Sequence, residues 1–173
     1  MIDAATYSAI EALRDGRRVE IRALRPQDRP EFVAAAHRAG VVSLYRRFFA
    51  VRRGFSEKET DFFVNVDFAN HVALVAVVDE DGRAAIVGGG RYVLVQPGKA
   101  EVAFTVIDAY QGQGVGSALL RHLVAIAREA GLEELVAEVL PENAPMLKLF
   151  EKCGCPMSIR RDPEVVHVTL GLK

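Results

Sequence analysis

Long apolar runs are missing from this 173-residue chain, and none approaches the ~20 residues that a membrane-spanning helix needs. It also lacks an excess of positive charge. With 22 Lys and Arg against 23 Asp and Glu the formal charge is −1, so no net basic field recruits nucleic acid or an anionic membrane. Cysteine is scarce: Cys153 and Cys155 are the two, separated by a single glycine. A disulfide across so short a loop is strained, and no further Cys or His lies at zinc-site spacing, so no metal is expected. The two thiols read as reduced, as in a cytoplasmic protein. The opening residues do not follow the basic-then-apolar order of a signal peptide, which fits the same expected location. Internal repeats, low-complexity tracts and dividing linkers are absent as well, so residues 1–173 are expected to form one domain.

What is present is globular composition, with half the residues hydrophobic and 26% charged. Residues 2–14 read as a short amphipathic helix carrying Ile2, Tyr7, Ile10 and Leu13, so residues 1–16 are expected to be an N-terminal helical extension. Arg18 to Leu24 alternates as a strand, and Arg25-Pro26-Gln27-Asp28 turns into a helix reaching about Ala39. A second helical stretch starts at Ser43. A third, Ser56 to about Asn65, opens on a capping box formed by Ser56 and Glu59. From Val72 the pattern becomes apolar and β-branched, and turn signals at 79–82 and 96–99 divide three antiparallel strands that end at Ile107. Gly114–Ala130 is a helix, Leu135–Leu140 a strand, Ala144–Lys152 a helix opened by Pro145, and Val165–Leu170 a last strand. The fold class is mixed α/β (α+β).

Between the third strand of that meander and the following helix lies Gln111-Gly112-Gln113-Gly114-Val115-Gly116. The first N–H groups of a helix have no intrahelical partner and sit at the positive end of its dipole. Glycines there let an anion reach the backbone, although glycines also serve simple tight turns. A P-loop is excluded because no Gly-Lys-Ser/Thr follows. The dinucleotide pattern Gly-x-Gly-x-x-Gly fails too, since its last position falls on Ser117 or Leu119.

Gln111-x-x-Gly114-x-Gly116 between a strand and a helix resembles the acetyl-CoA loop of the GNAT superfamily of acetyltransferases. A second segment, Leu140-Pro141-Glu142-Asn143-Ala144-Pro145-Met146-Leu147-Lys148-Leu149-Phe150-Glu151, is similar to that family's Asn-x-x-Ala/Met-x-x-Leu-Tyr-Glu motif. Ser43-Leu44-Tyr45-Arg46-Arg47-Phe48-Phe49 resembles the bacterial protein lysine acetyltransferase (Pat) branch, here without an attached regulatory domain. The resemblance implies a central, mostly antiparallel sheet, splayed at the cofactor strand and flanked by helices. It implies acetyl-CoA as co-substrate, with the pyrophosphate on Gln111, Gly112, Gln113, Gly114, Val115, Gly116 and Ser117. The pantetheine would run along Phe104, Thr105 and Val106. Asn143 would bond to the cofactor, and as readily reads as a helix N-cap. The acceptor would be an amine, a protein lysine on acyl-CoA synthetase-type targets, with no nucleic acid or membrane partner.

An ammonium must lose its proton before it can attack a carbonyl, and a positioned carboxylate is the usual base. Glu101 holds the position at which the resemblance places that base; the bland reading is a solvated residue beside Lys99. The thiolate's proton donor stays unassigned, because Phe150 stands where the family motif carries tyrosine, and Tyr110 occupies a packing position. Arg46 and Arg47 lie in the segment that the resemblance places on the acceptor side, where Arg47 could equally pair with Asp67, and His71 reads as a structural residue at a strand start that could relay protons. Gly88-Gly89-Gly90 reads as a bulge or as a place of close approach. Two other functions stay open at this level: acetylation of a small amine, and a non-catalytic acyl-CoA-binding module.

Overall fold

The computed structural model describes residues 1–40, 47 and 54–173. The helical stretch expected from Ser43, apart from Arg47, lies outside the described residues. Eight strands form one sheet in the order β1-β2-β3-β4-β5-β6-β8-β7. They are β1 Ser8–Ala12, β2 Arg18–Ala23, β3 His71–Glu80, β4 Arg83–Gln96, β5 Lys99–Val106, β6 Glu134–Val139, β7 Met157–Arg161 and β8 Val166–Gly171. The helices among the described residues are α1 Arg29–Arg38, α2 Glu57–Val64, α3 Val115–Glu129 and α4 Ala144–Glu151. Every strand pair is antiparallel except β5 with β6.

The N-terminus departs from the expected helix. Asp3 accepts from the N–H of Ala5 and caps a 3₁₀ turn over Ala4–Thr6, and the chain then pairs with β2 as an edge strand. The side chains obey period 2 rather than 3.6. Tyr7, Ala9, Glu11 and Leu13 turn inward, while Ile10, which the helical reading buries, is 55% exposed. Tyr7 and Glu11 both hydrogen-bond the His122 ring on α3, so β1 is held to that helix from either side of one imidazole. Pairing with β2 and this clamp override the local pattern.

β7 is the other strand not read from sequence. Its Met-Ser-Ile-Arg-Arg run is mostly exposed at the sheet edge, so no buried alternation marks it.

One face of the sheet packs on α3. Eight of that helix's residues are buried, at positions three and four apart, including Leu119, Leu120, Leu123, Val124 and Ile126. The close approach explains the glycines of β4. A Cβ on Gly88 would lie 2.9 Å from Val115, and one on Gly90 2.6 Å from Phe104. The register of β3 with β4 also shifts beside Gly88, between the pairs Ala76↔Gly88 and Val77↔Ile86, leaving Val87 as an extra residue. Bulge and close approach therefore coexist there.

On the other face, Phe32 and Ala35 of α1 pack against Leu24, Ala73, Val75 and Ile86. Arg22 and Asp28 form a two-pronged, nearly buried ion pair (2.7 and 2.9 Å) that fixes the entry to α1. Burial alone would raise the Asp28 pKa; the bonds from Arg22 and the Arg25 N–H outweigh it and hold the carboxyl below its ordinary range. No helix among the described residues is long and apolar enough to cross a membrane.

Candidate active site

The parallel pairing of β5 with β6 covers only Lys99–Glu101 against Glu134–Val136, yet β5 continues to Val106 and β6 to Val139. The two strands part beyond Glu101. The edge of β5 that faces β6 is left with unpaired backbone groups from Val102 onward, which is the splay the sequence reading expects. Val102, Phe104, Ala137, Val139 and Asn143 line the gap, with Phe150 in its lining. Phe150 is buried and meets Phe104 edge-on, with ring centroids 6.2 Å apart.

From the splay a cleft of about 350 Å³ runs to the N-terminus of α3, within the range of small-ligand sites. It brings together Phe104, Thr105, Val106, Gln111, Gly112, Gly114, Val115, Gly116, Ser117 and Asn143. Gln113 is not in the lining. Its side chain accepts from the N–H of Asp15 and its carbonyl from the N–H of Arg14, so it ties the loop to the β1–β2 hairpin. Gln111 donates from Nε2 to the carbonyl of Val106 and to Asp108, which pins the loop to the end of β5.

The three glycines of the loop serve different ends. Gly112 (φ +80°) and Gly114 (φ +94°) hold left-handed backbone in open space. Gly116 has an ordinary φ, but a Cβ there would lie 2.7 Å from Leu149 of α4. The first helical bond of α3 runs from the Ala118 N–H to the Gly114 carbonyl, so the N–H groups of Val115, Gly116 and Ser117 precede it and lie along the cleft.

Three cations in the lining escaped the sequence reading. Arg14 bonds the Gly112 carbonyl at 3.0 Å, and Lys148 and Lys152 stand one turn apart on α4. The i,i+4 spacing of the lysines was visible in the sequence. Arg14 could not be found while residues 2–14 read as a helix.

Asn143 caps α4, accepting from the N–H of Met146 at 3.4 Å; its amide nitrogen makes no hydrogen bond among the described residues. Tyr110 is committed elsewhere: its hydroxyl donates to Glu80 at 2.7 Å, and Arg17 donates to it and stacks on its ring. Burial, then the bond to Glu80, raise its pKa.

Glu101 is the last paired residue before the splay. It is exposed, with no hydrogen bond or ion pair among the described residues, so Lys99 does not engage it. Side-chain alternation puts it on the sheet face shared by Ala103 and Thr105. Cross-strand pairing adds Arg91, opposite Ala103, and His71, opposite Val93, to that face. Glu138, which the sequence reading passed over, lies on the same face across the gap, 3.8 Å from the His167 ring. Asp67 accepts from three consecutive backbone N–H groups, those of Ala69, Asn70 and His71.

A sheet that opens beside a glycine-capped, cation-flanked helix N-terminus, with a carboxylate at the fork, defines an acyl-transfer scaffold. The chain belongs to the acetyltransferase (GNAT) family, whose sequence profile matches residues 38–155, and it is an acetyltransferase of that family. It is similar to acetyltransferase PA5475 of Pseudomonas aeruginosa, with 33% identity over 91% of this chain and 87% of that protein. It is also similar to acetyltransferase Pat of Mycolicibacterium smegmatis, at 36% identity over 72% of this chain, and covers 37% of Pat's length. Among solved structures, the GNAT domain of S. lividans PAT superposes with a TM-score of 0.85 at 35% identity, covering 95% of this chain and 96% of that domain. The fold and the likeness to the Pat branch agree with the sequence reading.

Proposed function

We propose that this protein transfers acetyl from acetyl-CoA to the side-chain amine of lysine in a protein acceptor, of the kind represented by acyl-CoA synthetases. The observation that carries the acetyl-CoA part is a cleft that runs from the α3 N-terminus to the splay, where it shares Phe104, Asn143 and Met146 with the gap that opens just past Glu101. The residues fit the co-substrate in kind. Helix N–H groups with Arg14, Lys148 and Lys152 suit phosphates, and the open edge of β5 along Phe104–Val106 suits a chain of amides. Acetyl-CoA supplies an activated thioester.

Glu101 takes the proton of the acceptor ammonium, whose reference pKa is ~10.4, directly or through one water. A backbone N–H at the splay polarises the acetyl oxygen. The departing thiolate takes its proton from solvent, since Phe150 has none to give and the Tyr110 hydroxyl is donated to Glu80.

Likeness to two Pat proteins supports a protein acceptor. So does the sheet face beyond Glu101, where Val136, Glu138, His167 and Ser158 of β6, β8 and β7 are exposed or partly so. The test is incubation with isotope-labelled acetyl-CoA and a cell lysate, followed by mass-spectrometric mapping. Labelled lysines, acyl-CoA synthetases among them, are expected. Label confined to small amines would overturn the protein acceptor, and acetyl-CoA binding with no labelled product would overturn catalysis.

A further inference from the structure

Next to the cofactor cleft, and sharing Thr105 and Arg47 with it, is a second cavity under α1 and α2. Its volume is about 70 Å³, enough for a small polar group rather than a second large ligand. Phe32, Phe55 and Phe63 make one wall, and Ala103 and Thr105 of β5 lie opposite them. The charged residues in its lining are Arg47 and Arg91; no Asp or Glu among the described residues lines it.

A guanidinium group in an aromatic chamber, as that of Arg91 is, is costly to bury unless something negative compensates it. Arg91 is held in place on one side only. Its Nη1 donates to the Phe63 carbonyl (3.0 Å) and to His71 Nε2 (2.9 Å), and its Cζ lies 4.8 Å from the centroid of the Phe63 ring. Among the described residues Nε and Nη2 make no hydrogen bond and no buried side-chain nitrogen is unsatisfied, so these donors are not sealed off, and Arg91 is in the cavity lining. His71 cannot neutralise the arginine: burial, then the charge of Arg91, lower its pKa to about 4, and it accepts as a neutral ring. Burial brings Arg91 to about 9 and Arg47 to about 10, both still charged near neutrality. The charge of Glu101 offsets part of the burial of Arg47.

We propose that this cavity receives a carboxylate carried by the acceptor, so that the amines this protein acetylates bear an anionic group close to the reacting nitrogen. The inference rests on the acetyltransferase reading of the adjoining cleft. It adds substrate selection: Glu101 serves the amine at the fork, and Arg91 holds the acid on the same sheet face, across Ala103 and Thr105. A free amino acid presents such a carboxylate on its own α-carbon, and a protein acceptor presents it as an acidic residue beside the target lysine.

The test is calorimetric titration of the CoA-saturated protein with two matched pairs of probes. L-lysine and cadaverine differ by one carboxylate. The peptides acetyl-Gly-Glu-Lys-Gly-amide and acetyl-Gly-Gln-Lys-Gly-amide differ by one charge. The carboxylate member of at least one pair is expected to bind at least about tenfold more tightly, as charge-assisted hydrogen bonds do. Arg91→Gln should abolish the preference and Arg91→Lys should retain part of it. The pair that discriminates identifies the source of the carboxylate. Equal binding within both pairs, or a preference that survives Arg91→Gln in folded protein, overturns the proposal. Carboxylate-selective binding without acetyl transfer to any probe or protein would leave this site standing and sink the acetyltransferase assignment instead.

Discussion

Gly114 and Gly131 sit at opposite ends of α3 with nearly the same backbone, φ +94° and +83°, and a Cβ at either would meet nothing within 4 Å. Alanine at each position therefore carries a conformational cost with no steric part, about 1–2 kcal/mol for an L-residue held in left-handed backbone. For a domain of this size that cost lowers Tm by roughly 2–8 °C. Gly131 follows the helix C-terminus, where the Leu132 N–H bonds the Ala127 carbonyl, and it is not in the cleft lining. Gly131→Ala should lose stability and keep its affinity for acetyl-CoA. Gly114 caps the helix N-terminus inside the cleft. If its loop holds its shape, Gly114→Ala shows the whole cost in Tm. If the loop relaxes in the free protein, binding must restore it, and Kd rises by about 5–30-fold, the equivalent of the same 1–2 kcal/mol. Scanning calorimetry and titration with acetyl-CoA read the two halves, and for Gly114→Ala their sum should match the Tm cost alone of Gly131→Ala. The reasoning fails if Gly131→Ala weakens acetyl-CoA as much as Gly114→Ala does, or if Gly114→Ala changes neither quantity.

Gly90→Ala would put a Cβ 2.6 Å from the Phe104 ring and should cost about 1–3 kcal/mol of unfolding free energy, largely restored by Phe104→Leu in a double-mutant cycle. His71 has a folded pKa of about 4 against 6.5 in the open chain, so between those values the unfolded state binds a proton that the folded state refuses. Stability from this group is therefore complete above pH 6.5 and falls as pH drops towards 4, by roughly 3 kcal/mol in all. Denaturant titrations of His71→Gln should show a correspondingly flatter profile across that window. Lys148→Ala and Lys152→Ala, both on the cleft wall, should each raise the Kd for acetyl-CoA severalfold and reduce its dependence on salt, with no loss of Tm.

The glycine loop and the Asn143 cap were legible in the sequence because local chemistry carries each, left-handed glycines in one and an N-cap before proline in the other, whereas the splay of β5 was expected only from the family resemblance. What escaped depended on distant partners. Residues 8–12 carry the apolar residues of a short helix, and only pairing with β2 and the Tyr7 and Glu11 bonds to His122 make them a strand. The role of Arg14 in the cleft follows from that strand. Gln113 sits inside the motif yet turns away, because the hairpin beside it offers the Arg14 and Asp15 N–H groups. The Arg91 cavity had no sequence signature, since a lone arginine in an alternating strand reads as solvent-facing until α1 and α2 are folded over it.

The central claim is that Glu101, at the fork of β5 and β6, is the base of an acetyl-CoA-dependent transfer. The direct measurement is Glu101→Gln, assayed in parallel for acetyl-CoA affinity and for acetyl transfer to the protein lysines that the wild type labels. The account predicts unchanged affinity and turnover reduced by about a hundredfold to ten-thousandfold, with the loss shrinking as pH rises towards the lysine pKa. Turnover at the wild-type rate, with affinity intact, would contradict it.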